Sequence, residues 1–278
     1  MPASSFTLDF HDFDALRQLI HEHSNIWLGD SKVTFLQWRV ASRLRATSIS
    51  SAQEYYYFLK YDPGSSEEMQ RLIDAVTVNE TWFFRETKTM RAWRDDVLPG
   101  LVRREDKLRL WSAGCATGEE PYTVAMLLLE AYPATAATRF EILATDISQQ
   151  ALQTARVGEY DPYSLRHTEP SWLARYFQPV PGGRQKVNDQ VRQLVRFGQA
   201  NLAAPALVQR VGAMDLILCR NVIIYFGNQS RQSVLSNFYS ALSPGGYLIL
   251  GHSESLFHTV TPFAVARVGG TIMYRKSA

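Results

Sequence analysis

Cysteine is almost missing from this 278-residue sequence, which holds only Cys115 and Cys219. Two cysteines cannot build a disulfide framework, and their separation matches no metal-binding spacing, so no metal is expected. A reducing cytoplasm is the natural setting for such a chain. Long apolar runs are missing too. The longest, such as Val124–Leu129, fall far short of the about 18 residues that a membrane-spanning helix needs, so no membrane insertion is expected. The first residues, MPASSFTLDF, lack a basic head followed by an apolar core, and no secretory signal is expected. An excess of one charge sign is absent as well: Lys plus Arg number 29 against 27 Asp plus Glu. A net charge of +2 is too mild to imply nucleic acid. No internal repeat or low-complexity segment occurs. What remains is a chain 46% hydrophobic and 12% aromatic, the composition of a packed globular protein long enough for two domains.

The first 76 residues read as a small all-α domain. Phe13, Leu16 and Ile20 recur at helical spacing, as do Val33, Leu36, Val40 and Leu44, and then Met69, Leu72, Ile73 and Val76. Ser51 with Glu54, and Ser65 with Glu68, fit the capping box that opens a helix, and Asp62-Pro63-Gly64 breaks the chain between them. No chemistry is expected here. His21 and His23 read as an exposed pair. Between Ser31 and Gln53 stand Lys32, Arg39, Arg43 and Arg45 with no acidic residue. Such a run is either a solvated helix face or a docking face for an acidic partner.

From Leu108 the rhythm changes. Leu108–Trp111, Phe140–Thr145, Val195–Phe197, Asp215–Cys219 and Tyr247–Leu250 read as strands, and Pro121–Tyr132, Ser148–Gly158 and Gln229–Leu242 as helices between them. That alternation predicts an α/β, Rossmann-like domain over 91–278, with a mostly parallel sheet covered on both faces. Phe263–Tyr274, with Gly269-Gly270 at its centre, predicts a closing antiparallel hairpin. The alternation breaks over about 160–198, which reads as an inserted β-subdomain with a hairpin at Gly182-Gly183. Residues 77–90 form a linker.

Three loops carry candidate chemistry. Ser112–Pro121 runs small residues into a helix, so backbone can approach a ligand closely. It lacks the Lys-Ser/Thr of a phosphate loop, and Glu119 and Glu120 suit a cationic ligand, an ammonium or a sulfonium. A purely structural tight turn fits the loop equally well. Asp146 ends the second strand, where an acid either accepts hydrogen bonds from ribose hydroxyls or caps the helix that follows. Its distance from Gly114 is too long for the usual dinucleotide fingerprint, so NAD is not favoured. After the fourth strand, Arg220-Asn221-Val222-Ile223-Ile224-Tyr225 stands where methylators of base amines tend to carry Asn-Pro-Pro-aromatic, which argues against a base amine as acceptor. His252 reads as support for its turn.

Four ordered segments then combine. They are Val78-Asn79-Glu80-Thr81-Trp82-Phe83-Phe84-Arg85-Glu86, Trp111 through Tyr122, Cys219 through Phe226, and Gly251-His252-Ser253-Glu254. Together they resemble the CheR family, the chemotaxis receptor glutamate O-methyltransferases, in order and over nearly the whole chain. The resemblance implies a class I methyltransferase domain behind the all-α front domain. It implies S-adenosylmethionine as methyl donor and S-adenosylhomocysteine as product. Asn79, Thr81 and Arg85 would close over the cofactor, Glu120 (or Glu119 beside it) would meet its amino-acid part, and Asp146 would hold the ribose. Asn201 and Leu202 would flank the adenine, Arg220 and Asn221 would complete the pocket, and Tyr225 would lie near the transferred methyl. Arg85 and Tyr225 are the catalytic candidates. The acceptor would be the cytoplasmic methylation region of chemotaxis receptors. Some relatives grip a receptor's C-terminal pentapeptide tether with the inserted sheet. The compact turn Pro179-Val180-Pro181-Gly182-Gly183-Arg184 predicts that this chain does not require it. The competing readings are a methyltransferase of the same fold with another substrate, and a cofactor-binding regulatory module.

Overall fold

The computed structural model describes residues 6–102, 107–257 and 259–277; of the segment MPASSFTLDF, Met1 to Ser5 lie outside them. Four helices build the front domain: α1 (Phe10–Ser24), α2 (Val33–Thr47), α3 (Ala52–Tyr61) and α4 (Ser66–Val76). Their periodic apolar faces meet in one core, with Phe13, Leu16, Leu36, Val40, Tyr55 and Leu72 fully enclosed. Starts and stops follow local chemistry. The Asp9 carboxylate accepts the Asp12 N–H to open α1, and Asn25 closes it at φ 61°.

The two expected capping boxes fare differently. Ser51 accepts the Glu54 N–H at 3.1 Å, while Glu54 turns back to the N–H and hydroxyl of Ser50, one residue early. Ser65 makes no such cap, and Glu68 is not a capping residue. Its buried carboxylate takes both arms of Arg43, at 2.9 and 2.6 Å, and the Tyr55 hydroxyl at 2.7 Å. Arg43 is therefore a structural residue and not part of a free basic face. His21 also departs from expectation: it is half-buried, with Nδ1 3.3 Å from the Ile26 carbonyl and its ring edge-on to Trp27.

After the linker come α5 (Thr87–Ala92), a π turn (Trp93–Val97) and α6 (Leu98–Val102). Beyond them, β1 (Leu108–Ala113), α7 (Glu119–Ala131), α8 (Ala136–Arg139), β2 (Phe140–Asp146) and α9 (Gln149–Val157) alternate. Next come β3 (Glu159–Tyr160), α10 (Pro170–Tyr176), β4 (Phe177–Val180), β5 (Arg184–Val187) and α11 (Asp189–Arg192). The chain ends with β6 (Val195–Gln199), α12 (Leu207–Val211), β7 (Met214–Cys219), α13 (Asn228–Ala241), β8 (Leu242–Leu250), β9 (Ala264–Val268) and β10 (Thr271–Arg275).

The large sheet has the order β6-β2-β1-β7-β8-β10-β9. Its first five strands are parallel, and β10 enters antiparallel between β8 and β9. Alternation sends Leu110 to one face and Trp111 to the other, each into its own apolar core. Leu242–Gly246 joins β8 with an irregularity, Met214 standing opposite Leu242 but Leu216 already opposite Tyr247. The small sheet is antiparallel in the order β3-β5-β4. Although β6 lies in the stretch expected for the insertion, it pairs with β2 in the large sheet. No helix among the described residues is long and apolar enough to cross a membrane.

The chain order reverses around β1, with β2 on one side and β7 on the other. Ligands of such sheets bind in the crevice beyond the strand carboxyl ends at this reversal.

Candidate active site

A cavity opens at that crevice, with about 1270 Å³ of empty space, its open mouth included. Asn79, Thr81, Arg85, Glu120, Asp146, Asn201, Leu202, Arg220, Asn221 and Tyr225 all line it. Residues separated by up to 146 positions are thus brought to one wall, because each sits in the linker or just past a strand end.

The loop after β1 is tied to the end of β2. Gly114 and Cys115 N–H both donate to the Thr145 carbonyl, at 2.7 and 2.9 Å, and Ala116 N–H donates to Asp146 Oδ2 at 2.8 Å. Gly114 has φ 82°, and a Cβ there would stand 2.5 Å from a Val222 methyl, so only glycine lets the loops after β1 and β7 touch. The other oxygen of Asp146 accepts the Ser148 N–H at 2.9 Å, while Ser148 itself caps α9 by accepting the Ala151 N–H. Asp146 thus turns the chain into the cap without being the cap. Burial pushes its carboxyl up, against the pull of the backbone N–H groups of Ser148 and Ala116.

Glu119 and Glu120, adjacent in sequence, point to different places. Glu119 is buried away from the cavity lining, where it accepts hydrogen bonds from Thr117 Oγ1 at 2.6 Å and Ser164 Oγ at 3.0 Å. Glu120 faces the cavity, accepting from Ser112 Oγ at 2.7 Å and from Arg220 at 3.2 Å. Burial raises its carboxyl, and the Arg220 charge and Ser112 hydroxyl pull the other way. Arg220, its side chain only 2% exposed, is the hub. It also donates to the Arg85 carbonyl at 2.7 Å and to Glu86 at 3.1 Å, so it ties the linker to the loop after β7. Burial alone would raise Glu86, but Arg220 and the His252 N–H outweigh it and hold that carboxyl low.

Arg85 donates to the Glu80 carbonyl at 3.0 Å and lies over the Trp82 ring at 4.5 Å. The Tyr225 hydroxyl is pushed up chiefly by burial, with Arg85 opposing. Asn201 donates to Asn25 Oδ1 at 2.8 Å and to the His23 carbonyl at 3.3 Å, and its own oxygen accepts the Ala203 N–H. His252 is exposed, with Nδ1 3.2 Å from Ser253 Oγ, and does not line the cavity.

Two contributions were not legible in the sequence. Glu254 accepts four backbone N–H groups, from Asn221 (2.7 Å), Val222 (2.9 Å), Ile223 (2.8 Å) and Gly251 (2.8 Å). It holds the loop that carries Arg220, Asn221 and Tyr225. Its segment, Gly251 to Glu254, was singled out without a role for the acid, and the glycine leaves room: a Cβ on Gly251 would lie 2.8 Å from the Glu254 carboxylate. The second is the front domain. Expected to carry no chemistry, it walls the cavity with Ser24, Ile26 and Val76. Ile26 forms a bridge with Phe226, and Trp27 N–H donates to the Tyr225 carbonyl at 2.9 Å.

Residues 79–270 match the model of the CheR methyltransferase SAM-binding domain, and residues 11–77 match that of the CheR methyltransferase all-alpha domain. The chain belongs to the CheR methyltransferase family. It is 39% identical over 267 residues to chemotaxis protein methyltransferase 2 of Vibrio cholerae, covering 95% of this chain and 92% of that protein. Similarity to chemotaxis protein methyltransferase 1 of Pseudomonas aeruginosa is 33%, covering 95% and 97%. To the chemotaxis protein methyltransferase of Escherichia coli it is 35%, covering 91% and 87%. As a CheR methyltransferase the protein carries an S-adenosylmethionine-binding domain, and the cavity offers it suitable groups. Two polar atoms buried at the cavity, Arg220 Nε and Asn221 Oδ1, have no hydrogen-bond partner within the protein. Glu120, in the first turn of α7, and Asp146, at the end of β2, line it as well.

Proposed function

We propose that this methyltransferase esterifies glutamate side chains in the cytoplasmic methylation region of chemotaxis receptors, with S-adenosylmethionine as donor. The observation that carries the reading is what the cavity lacks. Among the described residues that line it there is no histidine and no lysine, and Tyr225 is pushed away from neutral titration. The carboxylates of the lining are already engaged, Glu120 by Ser112 and Arg220, Asp146 by backbone N–H groups and Glu80 by the Tyr163 hydroxyl, and such a cavity suits an acceptor that is already ionised. A glutamate carboxylate, with reference pKa about 4.3, is such an acceptor. The relatives named chemotaxis protein methyltransferase support methyl transfer in chemotaxis.

The donor supplies an electrophilic methyl on a sulfonium. In this reading Glu120 holds its ammonium and Asp146 its ribose hydroxyls, each carboxylate oxygen keeping acceptor capacity beyond the bonds it already makes. Asn201 and Leu202 flank the adenine, Arg220 and Asn221 close the pocket, and Asn79 and Thr81 cover it from the linker. Arg85 steers the acceptor carboxylate with its fork, and Tyr225 hydrogen-bonds or faces the reacting groups. Desolvation by these walls strips water from the anion without taking a proton from it. No step needs a metal.

Radiolabelled methyl transfer onto receptor cytoplasmic domains, with a test for base-labile ester, is the decisive experiment. Arg85→Ala should nearly abolish transfer, and Tyr225→Phe should lower turnover while S-adenosylhomocysteine affinity stays close to normal. Asp146→Ala should weaken that affinity by about 1.5–3 kcal/mol, the scale of hydrogen bonds to a charged group. Normal receptor methylation by both the Arg85 and Tyr225 variants overturns the assignment of the reacting end.

A further inference from the structure

Trp82 is the shared wall of the cavity and of a second groove, cut between α5 and the inserted α10. The floor of this groove is aromatic. Phe84 and Trp172 pack with ring centroids 4.9 Å apart, and Tyr176 stacks behind Trp172 at 5.6 Å. Its rim is basic. Lys88 and Arg91 stand exposed on α5, and next to the groove exposed Arg166 is held over the ring of Trp82, which lines it, at 4.0 Å and over Tyr163 at 3.8 Å. Two carboxylates border the groove, but Glu86 is turned onto buried Arg220 and Glu169 faces Arg91 at 3.7 Å. Lys88 and Arg166 make no ion pair among the described residues. Sandwiching an arginine between two rings removes rotamer freedom without neutralising its charge. The groove thus sets an uncompensated positive rim over an apolar floor, immediately beside the reacting end.

We propose that this groove is a second docking site for the acceptor chain and seats the acidic segment adjoining the glutamate that is methylated. The inference rests on the receptor-glutamate reading above. Continuity argues for it: Arg85 lies over the same Trp82 ring and lines the cavity, whereas Arg166 reaches that ring from the inserted subdomain. An acceptor helix presenting its glutamate at Arg85 runs on past Trp82, rising about 1.5 Å per residue. Within a turn or two its acidic side chains meet Lys88 and Arg166, and an apolar one meets Phe84 and Trp172. Charge complementarity argues for it as well, since a segment built around glutamates is attracted by this rim.

The test compares two double reversals with the same change in net charge. Lys88→Glu with Arg166→Glu alters the groove. Lys107→Glu with Arg196→Glu alters the amino ends of β1 and β6, opposite the cavity. The groove variant should raise KM for a receptor cytoplasmic domain about tenfold, the effect of lost electrostatic complementarity. Its kcat and its affinity for S-adenosylhomocysteine should match the unaltered enzyme, and the control should show near-normal KM. Equal KM values in the two variants overturn the docking site. A photoreactive residue at Lys88 should cross-link to receptor close to the methylated glutamate, and cross-links elsewhere or none overturn it too. If the unaltered enzyme forms no base-labile ester on receptor, the functional reading falls and the docking site with it. If it forms the ester and the two variants agree, only the docking site falls.

Discussion

Glu120 and Asp146, proposed above to hold the donor, show how burial sets the working range of a carboxylate. Both carboxyls are raised above their ordinary values by burial. A protonated Glu120 cannot hold an ammonium. Affinity for S-adenosylhomocysteine should therefore be full above the raised value and fall as pH drops through it, earlier than an exposed carboxylate near about 4.3 would allow. Calorimetry over falling pH should show this decline at higher pH than an exposed carboxylate would give, with proton release on binding at the acidic end. Glu120→Gln should bind weakly with a flatter profile, and an equal pH dependence in that variant would remove Glu120 from the ammonium. Glu254 makes the opposite point, since it touches no ligand surface yet accepts four N–H groups of two loops. Removing it strands donors whose burial costs about 1–3 kcal/mol apiece. Glu254→Ala should lower unfolding stability by at least about 3 kcal/mol and weaken cofactor binding together. A variant with normal stability by denaturant titration would show that the loop holds itself. Sequence reading singled out ten of the cavity residues, whereas Glu254 stood in the fourth segment without a role. A carboxylate that serves backbone looks, in sequence, like any surface acid.

At the scale of one helix, α2 divides a run of basic residues that looked uniform. Leu36, Val40 and Leu44 face the core, and Arg43 stands half-buried beside them on Glu68. The outer face carries Arg39, Arg45 and Trp38, the last 69% exposed. The 3.6-residue period was legible and gave the helix correctly, because amphipathic spacing is a local property. Arg43's partner lies 25 residues away on α4, at a position whose local pattern reads as a capping box. Local spacing carries no information about that pairing. The two classes of arginine should separate by experiment. Arg43→Ala leaves buried Glu68 with only the Tyr55 hydroxyl and Arg71 at 4.0 Å, and should cost about 3 kcal/mol of stability. Arg39→Glu with Arg45→Glu should leave stability nearly unchanged and raise the receptor KM without altering cofactor affinity. That effect should fade as salt shortens the screening length toward about 3 Å at 1 M. Receptor kinetics unchanged in the outer-face variant would make this face merely solvated.

Across the whole molecule, the front domain and the α/β domain meet around one cavity with the linker between them, and single polar contacts set their docking. Gln70 of α4 donates to the Ile147 carbonyl and accepts from Gln199, Asp74 accepts the Gln149 N–H, and Asn25 meets Asn201. Each partner is an ordinary polar residue in sequence, which is why the front domain's part in the cavity was not legible although its helices were. The inserted sheet raises the remaining question of how receptor is captured. Its β4 is an edge strand, with β5 on one side and no strand on the other among the described residues. Asn188 N–H donates to the Tyr176 carbonyl, so alternation turns the backbone groups of Gln178 and Val180 toward β5 and those of Phe177 and Pro179 outward. Pro179 thus removes a donor from the side an added strand would need. Beyond it, Gly182 and Gly183 at φ 82° and 71° reverse the chain at once, which leaves no extended loop to lengthen the edge. A receptor's C-terminal pentapeptide should accordingly show no micromolar binding when titrated into this protein. Methylation of a receptor should also proceed at the same rate after its C-terminal tail is removed. Micromolar binding that disappears when β4 is altered would establish tether capture at this edge and overturn the prediction.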